Sequence, residues 1–215
     1  MTGGRRKAIL RSVVAGACLV AGAVLVAWPA FRAVRNRIWQ GHHAAQFETG
    51  PLAENHGRPD ETPVPERLAP DTKAPESLKS PRRGAAIARL RIPRVGLDSV
   101  IAEGTDKSTL ARSPGHMEGT ALPGDPDNCI IAGHRDGEFA RLGSVRQGDV
   151  VEIVASGERS HYRVTTVSII DKNDTTVLDP SSEPVLTLIT CYPFRWRGPA
   201  PKRLIVRGEL IPSPA

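Results

Sequence analysis

An all-β domain, a small barrel or sandwich, carried behind one N-terminal membrane helix is the architecture that this sequence predicts. Three observations predict it. Residues 84–215 break into seven or eight short runs rich in Val, Ile and Thr, separated by Gly, Pro, Asn and Asp turn signals that leave little room for helix. Residues 12–31 form a twenty-residue stretch without a charge. At 1.5 Å per residue such a stretch spans about 30 Å, one hydrocarbon core. Between the two, Pro51 to Pro81 holds seven prolines among mixed charges and almost no paired apolar residues, the composition of a linker with no fixed secondary structure. The expected segments are therefore a tail at 1–11, a transmembrane helix at 12–31, a juxtamembrane segment at 32–50, a linker at 51–83 and one globular domain at 84–215.

Charge supports this division. The formal net charge is +6, but Arg5, Arg6, Lys7, Arg11, Arg32, Arg35 and Arg37 all precede the first acidic residue, Glu48, and the remainder of the chain carries −1. With no basic patch interleaved with aromatics in that remainder, nucleic acid is excluded as a partner. The lipid bilayer is the expected one. Trp28 and Trp39 suit the aromatic belt at the membrane interface, and four Lys or Arg before the span against three soon after favour a cytoplasmic N-terminus. A cleaved signal peptide is the rival reading, opposed by the length of the apolar run. Ala33 to Phe47 has poor helical periodicity, interrupted by Gly41.

Within the domain, Ala85 to Ile92 sets Ala88, Leu90 and Ile92 against Ile87, Arg89 and Arg91, a half-buried strand closed by Pro93. Leu97 to Glu103 is a second strand. Thr105 to Arg112 suits one or two helical turns capped by Thr105 or Asp106. Ser113 to Asp127 reads as loop with one short strand, Asn128 to Gly133 as a compact buried strand, and Asp149 to Ala155 with Ser160 to Ile170 as a hairpin about Ser156-Gly157-Glu158. A polar loop, Lys172 to Glu183, leads to Val185-Leu186-Thr187-Leu188-Ile189-Thr190-Cys191, and Lys202 to Leu210 closes the domain. In that last strand Leu204, Val206, Gly208 and Leu210 share the expected core face, with Arg203, Ile205, Arg207 and Glu209 on the other.

Three chemically useful residues stand at strand edges. Cys191 ends its strand just before Tyr192-Pro193, where a scaffold can display a thiol; a small buried hydrophobe is the bland alternative. His134 follows the strand ending at Gly133. If the last two strands pair antiparallel through the connecting loop, Arg203 flanks Cys191, whereas Arg207 lies about 13 Å farther along. A thiol needs an imidazole or a positive field to act as a nucleophile, and a guanidinium can hold an oxyanion but cannot act as a base. Three cysteines, Cys18, Cys129 and Cys191, without paired spacing argue against a zinc site or a disulfide framework. No metal and no cofactor are expected, and abolition of activity by chelation would refute that.

Thr187-Leu188-Ile189-Thr190-Cys191, with Ala132-Gly133-His134 upstream and Lys202-Arg203 downstream, resembles the sortase family of cysteine transpeptidases over about Ala85 to Leu210. The resemblance implies a closed eight-stranded sortase-type β-barrel with short helices. It implies that Cys191 attacks a Leu-Pro-x-Thr-type sorting signal to form a thioester, which an amine or water resolves. His134 would protonate the leaving amine, Arg203 would hold substrate or oxyanion, and Thr190 would be a substrate-groove residue. The partners implied are secreted proteins with a C-terminal sorting signal and an amine acceptor of the cell envelope. The domain is then extracytoplasmic, tethered to the cytoplasmic membrane by a single pass. Cys-Tyr-Pro-Phe followed by Gly-Pro-Ala-Pro-Lys-Arg is most similar to class D, with class E open. Neither an Asp-Pro-aromatic tripeptide in the linker nor a second apolar span after Leu210 is present, and both are expected of the pilin-polymerising class. The competing readings are a hydrolase using the same acyl-enzyme and a non-catalytic membrane-tethered β-domain that binds cell-envelope components. The latter needs an inert, buried Cys191.

Overall fold

In a computed structural model of the chain, the residues described are 22–23, 27, 31, 33–47 and 81–212. The chain divides into two compact units, Met1–His42 and His43–Ala215. The described residues of the first are helical, and the helix continues through Gly41 to residue 44 before a 3-10 turn at Ala45–Phe47. Gly41 does not break it, because one glycine costs a helix only about 1 kcal/mol. Among the described residues no helix is long and apolar enough to cross a membrane. The span expected at 12–31 lies almost wholly outside them, as does the linker up to residue 80.

The second unit is a closed barrel of eight strands. They are β1 (Ala86–Ile92), β2 (Leu97–Glu103), β3 (Gly115–His116), β4 (Asn128–Gly133), β5 (Val150–Ala155), β6 (Glu158–Asp171), β7 (Val185–Tyr192) and β8 (Lys202–Ile211). Around the barrel the order is β1-β2-β3-β4-β7-β8-β6-β5, with β5 closing on β1. The pairs β2–β3 and β4–β7 are parallel and the others antiparallel. The hydrophobic alternation predicts these strands well. Ala88, Leu90 and Ile92 of β1 enter the core, Ile87 packs half-buried against it, and Arg89 and Arg91 stay outside it. Asp106 caps the helical turn Lys107–Leu110, accepting from the backbone N–H of Ser108 and Thr109, as its position before the turn predicts. The core is mainly aliphatic, with Phe139 and Tyr162 as its two wholly buried aromatic rings.

Three features depart from expectation. Leu210, assigned to the core face of β8, is 38% exposed near the strand's end, where the opposing core has run out. Ile205, on the other face, is buried, so β8 is covered on both sides at its centre. A 3-10 helix, Glu138–Ser144, not foreseen in the sequence, brings Phe139 and Leu142 into the core. One buried polar pair also ties β2 to β3. His116 lies with Nδ1 2.8 Å from Glu103 Oε2 and Nε2 2.9 Å from the Ala121 carbonyl, so that both ring nitrogens face acceptors.

Candidate active site

Strand register builds the site. β7 and β8 pair antiparallel with Cys191 directly opposite Arg203. On its other side β7 pairs parallel with β4, Gly133 beside Thr190, so the next residue along β4, His134, flanks Cys191. Adjacent strands lie about 4.8 Å apart, which sets Cys191 one strand spacing from Arg203, while His134 leaves the end of β4 on the other side. Side-chain alternation then decides the face. Leu186 and Leu188 of β7, Cys129 and Ile131 of β4, and Leu204 and Val206 of β8 all enter the core. Cys191, Arg203 and, one step beyond Gly133, His134 therefore belong to the outer face of the barrel, together at one edge. The sequence placed Arg203 beside Cys191 by the antiparallel argument; the parallel pairing that delivers His134 was not part of it.

Each group is held locally. Gly133 must be glycine, since a Cβ there would stand 2.6 Å from Phe139 Cδ2, whose ring fills the core beneath it. Thr190 is 2% exposed and its hydroxyl donates to the Gly133 carbonyl at 2.8 Å. That places it on the inner side, bonding β7 to β4 just before His134, and not on the outer face where a groove residue was expected. His134 is exposed, and its carbonyl accepts from the Gly137 N–H in a turn. The Arg203 side chain is half-buried and Nη1 donates to the carbonyls of Ala200 and Lys202 at 3.2 and 2.9 Å. Among the described residues no carboxylate pairs with it.

Cys191 is half-buried and free, unlike the inert thiol that a purely binding domain requires. Cys129 lies within the core beside Leu186, and burial pushes its thiol well above the ordinary range, with the fields of Asp125 and Glu103 adding to the effect. A bridge between the two cysteines is geometrically closed. Cys191 stands five residues beyond Leu186 on β7, about 16 Å along the strand, far outside disulfide reach.

Two further residues complete the frame. Arg135 Nη2 donates to the carbonyls of Trp196 and Gly198, joining the His134 turn to the β7–β8 loop, while Nη1 is buried without a partner among the described residues. Phe194 of that loop stacks on Gly143 at the end of the 3-10 helix and meets Tyr192 edge-on at 5.9 Å. The sequence signal for the helix was present, apolar Phe139 and Leu142 three residues apart after Gly137, but too short to read as periodicity.

A thiol, an imidazole and a guanidinium brought to one edge of the barrel can form and resolve an acyl-thioester. The comparisons with known proteins agree on this class. The sortase domain family model matches residues 90–211, more than half of the chain. Sortase D of Bacillus subtilis (strain 168) is 33% identical over 155 residues, which is 72% of this chain and 78% of the relative. The solved Clostridium perfringens sortase D5 transpeptidase is 30% identical with a TM-score of 0.58, covering 64% of this chain and 86% of its own. A lid mutant of sortase A from Corynebacterium diphtheriae is 31% identical with a TM-score of 0.56, covering 60% of this chain and 72% of its own. The chain belongs to the sortase family of cysteine transpeptidases. Its resemblance to class D is borne out by the first two relatives.

Proposed function

We propose that the protein is a membrane-anchored sortase that cleaves a Leu-Pro-x-Thr-type sorting signal and transfers the upstream protein to an amine of the cell envelope. The observation that carries this reading is the register of β4, β7 and β8, which brings His134, Cys191 and Arg203 together on one face. The Cys191 thiolate adds to the carbonyl carbon of the threonine, and Arg203, whose guanidinium has no carboxylate partner among the described residues, stabilises the oxyanion. The carbon–nitrogen bond breaks as His134 gives a proton to the leaving amine, leaving a thioester on Cys191. An incoming amine then attacks the thioester, loses its proton to His134 and releases the thiolate. Thr190 acts from beneath as a positioning residue, through its bond to Gly133.

The apolar span at 12–31 holds the enzyme at the cytoplasmic membrane in a single pass, N-terminus inside and residues 84–215 outside, with the proline-rich segment 51–83 as spacer. The test incubates the full chain in detergent with a pool of Leu-Pro-x-Thr-type peptides and candidate amines and follows peptide and protein by mass spectrometry. Cleavage after threonine with a transient adduct on Cys191, lost in Cys191→Ala and reduced at least about a hundredfold in His134→Ala and Arg203→Ala, is expected. Cleavage that persists in Cys191→Ala would overturn the mechanism. Labelling of an engineered linker cysteine from the cytoplasmic side would overturn the topology.

A further inference from the structure

The loop between β7 and β8 carries a surface that the reaction does not use. Both of its ends are fixed in the barrel. Phe194 packs against the core and over Gly143, and Ala200 is buried, whereas the five residues between them, Arg195-Trp196-Arg197-Gly198-Pro199, are all exposed. This projection is held in place. Arg135 Nη2 donates to the carbonyls of Trp196 and Gly198 at 2.9 and 3.2 Å, and Trp196 Nε1 donates to the Pro199 carbonyl at 3.1 Å. Trp196 is 48% exposed, more than any other large apolar side chain of the barrel. Because its single N–H is already bonded, the ring offers only apolar surface outward.

The charge around the ring has one sign. From Val185 to Gly208 the chain holds no carboxylate, and Arg195 and Arg197 flank the indole. Of the neighbouring elements, β6 places Asp171 opposite Lys202, and the His134 turn carries Asp136. Among the described residues neither carboxylate pairs with Arg195 or Arg197. Two free cations on either side of a fixed, exposed indole are complementary to a surface that is negative outside and apolar beneath. An anionic phospholipid interface has both layers in that order. A soluble polyanion supplies the charge but no apolar layer for the ring.

We infer that Arg195, Trp196 and Arg197 form a docking surface for anionic phospholipid, which seats the Cys191 edge of the barrel on the membrane face. The inference rests on the proposed anchoring by residues 12–31. That span supplies proximity, so a surface of three residues need supply only orientation. Arg195 lies four residues beyond Cys191, and docking therefore holds the nucleophile within about 14 Å of the point of contact along the chain.

The test uses the full chain with Trp28→Phe and Trp39→Phe, which leave Trp196 as its one tryptophan. The protein is placed in nanodiscs of phosphatidylcholine, alone or mixed with phosphatidylglycerol, each made with and without brominated acyl chains, and the tryptophan emission is read. In the anionic discs the emission should move to the blue and be quenched by bromine. In the neutral discs it should remain that of an indole in water. Salt at about 1 M, which shortens the screening length to about 3 Å, should restore the emission seen in neutral discs. Arg195→Gln with Arg197→Gln should lower the ratio of docked to free protein about twenty- to thirtyfold, from about fivefold per cation near an anionic surface. Arg195→Lys with Arg197→Lys should keep most of it, since the attraction is to charge. Equal emission and quenching in the two kinds of disc, or docking that survives in the glutamine variant, would overturn the inference. Soluble polyphosphate that shifts the emission where anionic discs do not would also overturn it, assigning the surface to a polymer. A chain that stays out of both kinds of disc when detergent is removed would instead overturn the anchoring, and the same emission read on added phosphatidylglycerol vesicles would then decide the docking.

Discussion

Replacing Gly133 by alanine tests how His134 is held. The new Cβ would fall 2.6 Å from Cδ2, 2.7 Å from Cγ and 3.1 Å from Cε2 of Phe139. Carbon atoms in contact prefer about 3.5–4.0 Å, so the overlap reaches roughly an ångström. The ring has nowhere to go. Phe139 is 0% exposed, and the 3-10 helix bearing it is itself pressed at Gly143 by Phe194, with a virtual Cβ contact of 2.7 Å. Gly133 does not have a positive φ, so alanine brings no backbone strain and even a small gain, about 0.4–1 kcal/mol, from a stiffer unfolded chain. Overpacking costs about 1–3 kcal/mol, which leaves a net loss of about 1–2 kcal/mol and a Tm lower by about 3–8 °C. Thermal unfolding followed by circular dichroism measures it, beside peptide kinetics. Because His134 is the next residue, kcat should fall more than stability alone explains. Phe139→Ala removes all three atoms that collide, so the double variant should recover about 1 kcal/mol or more relative to the sum of the single changes. A Gly133→Ala protein that melts with the wild type and retains its kcat would refute the reasoning.

Three more outcomes follow from features already described. Native protein at pH 7–8 should take up iodoacetamide at Cys191 and leave Cys129 unlabelled until urea is added, as read by peptide mapping; equal labelling of both would contradict the placement of Cys129 in the core. Asp149 is held below the usual carboxylate range by Arg94, with the Arg146 N–H assisting against the effect of burial. A depressed folded pKa means that the unfolded carboxylate takes up its proton first as pH falls. Its contribution is thus whole above about pH 4 and is lost as pH drops through the folded value. Tm measured from pH 6 to pH 2.5 should fall more steeply for the wild type than for Asp149→Asn, and parallel curves would exclude the effect. His116→Ala leaves Glu103 buried without its partner and should cost about 3 kcal/mol or more in urea unfolding; a loss under about 1 kcal/mol would show that water replaces the ring.

The strands were legible because alternation in β1, β4 and β7 states a face and a length within the segment itself. The Cys191–Arg203 pairing was legible too, since a single short loop between antiparallel strands fixes which ends meet. The pairing of β4 with β7 carries no such local mark. Its partners are 57 residues apart in sequence at Thr190 and Gly133, and parallel strands have no hairpin to announce their register. The same holds for Glu103 and His116, whose strand β3 is two residues long. Thr190 misled because the threonine of a Thr-Cys pair looks available for binding, whereas alternation about Leu188 turns it inward, toward Gly133. Asn128 gave no signal of its buried bonds to the Val177 and Asp179 carbonyls, since the course of that loop is decided only by the fold.

That parallel seam has a consequence for the life of the chain before it is folded. Nothing local brings His134 to Cys191; the two meet only when β7 docks beside β4, a late event for contacts so distant in sequence, since long loops must close before the contact rewards them. A partly folded chain in which β7 has not docked beside β4 thus carries a thiol without its imidazole. A strand slipped by one residue would turn Cys191 into the barrel and leave His134 outside. On the site proposed above, assembly and reactivity are the same event, so a protein of this design is chemically quiet during synthesis and becomes competent only when its barrel has closed in the correct register.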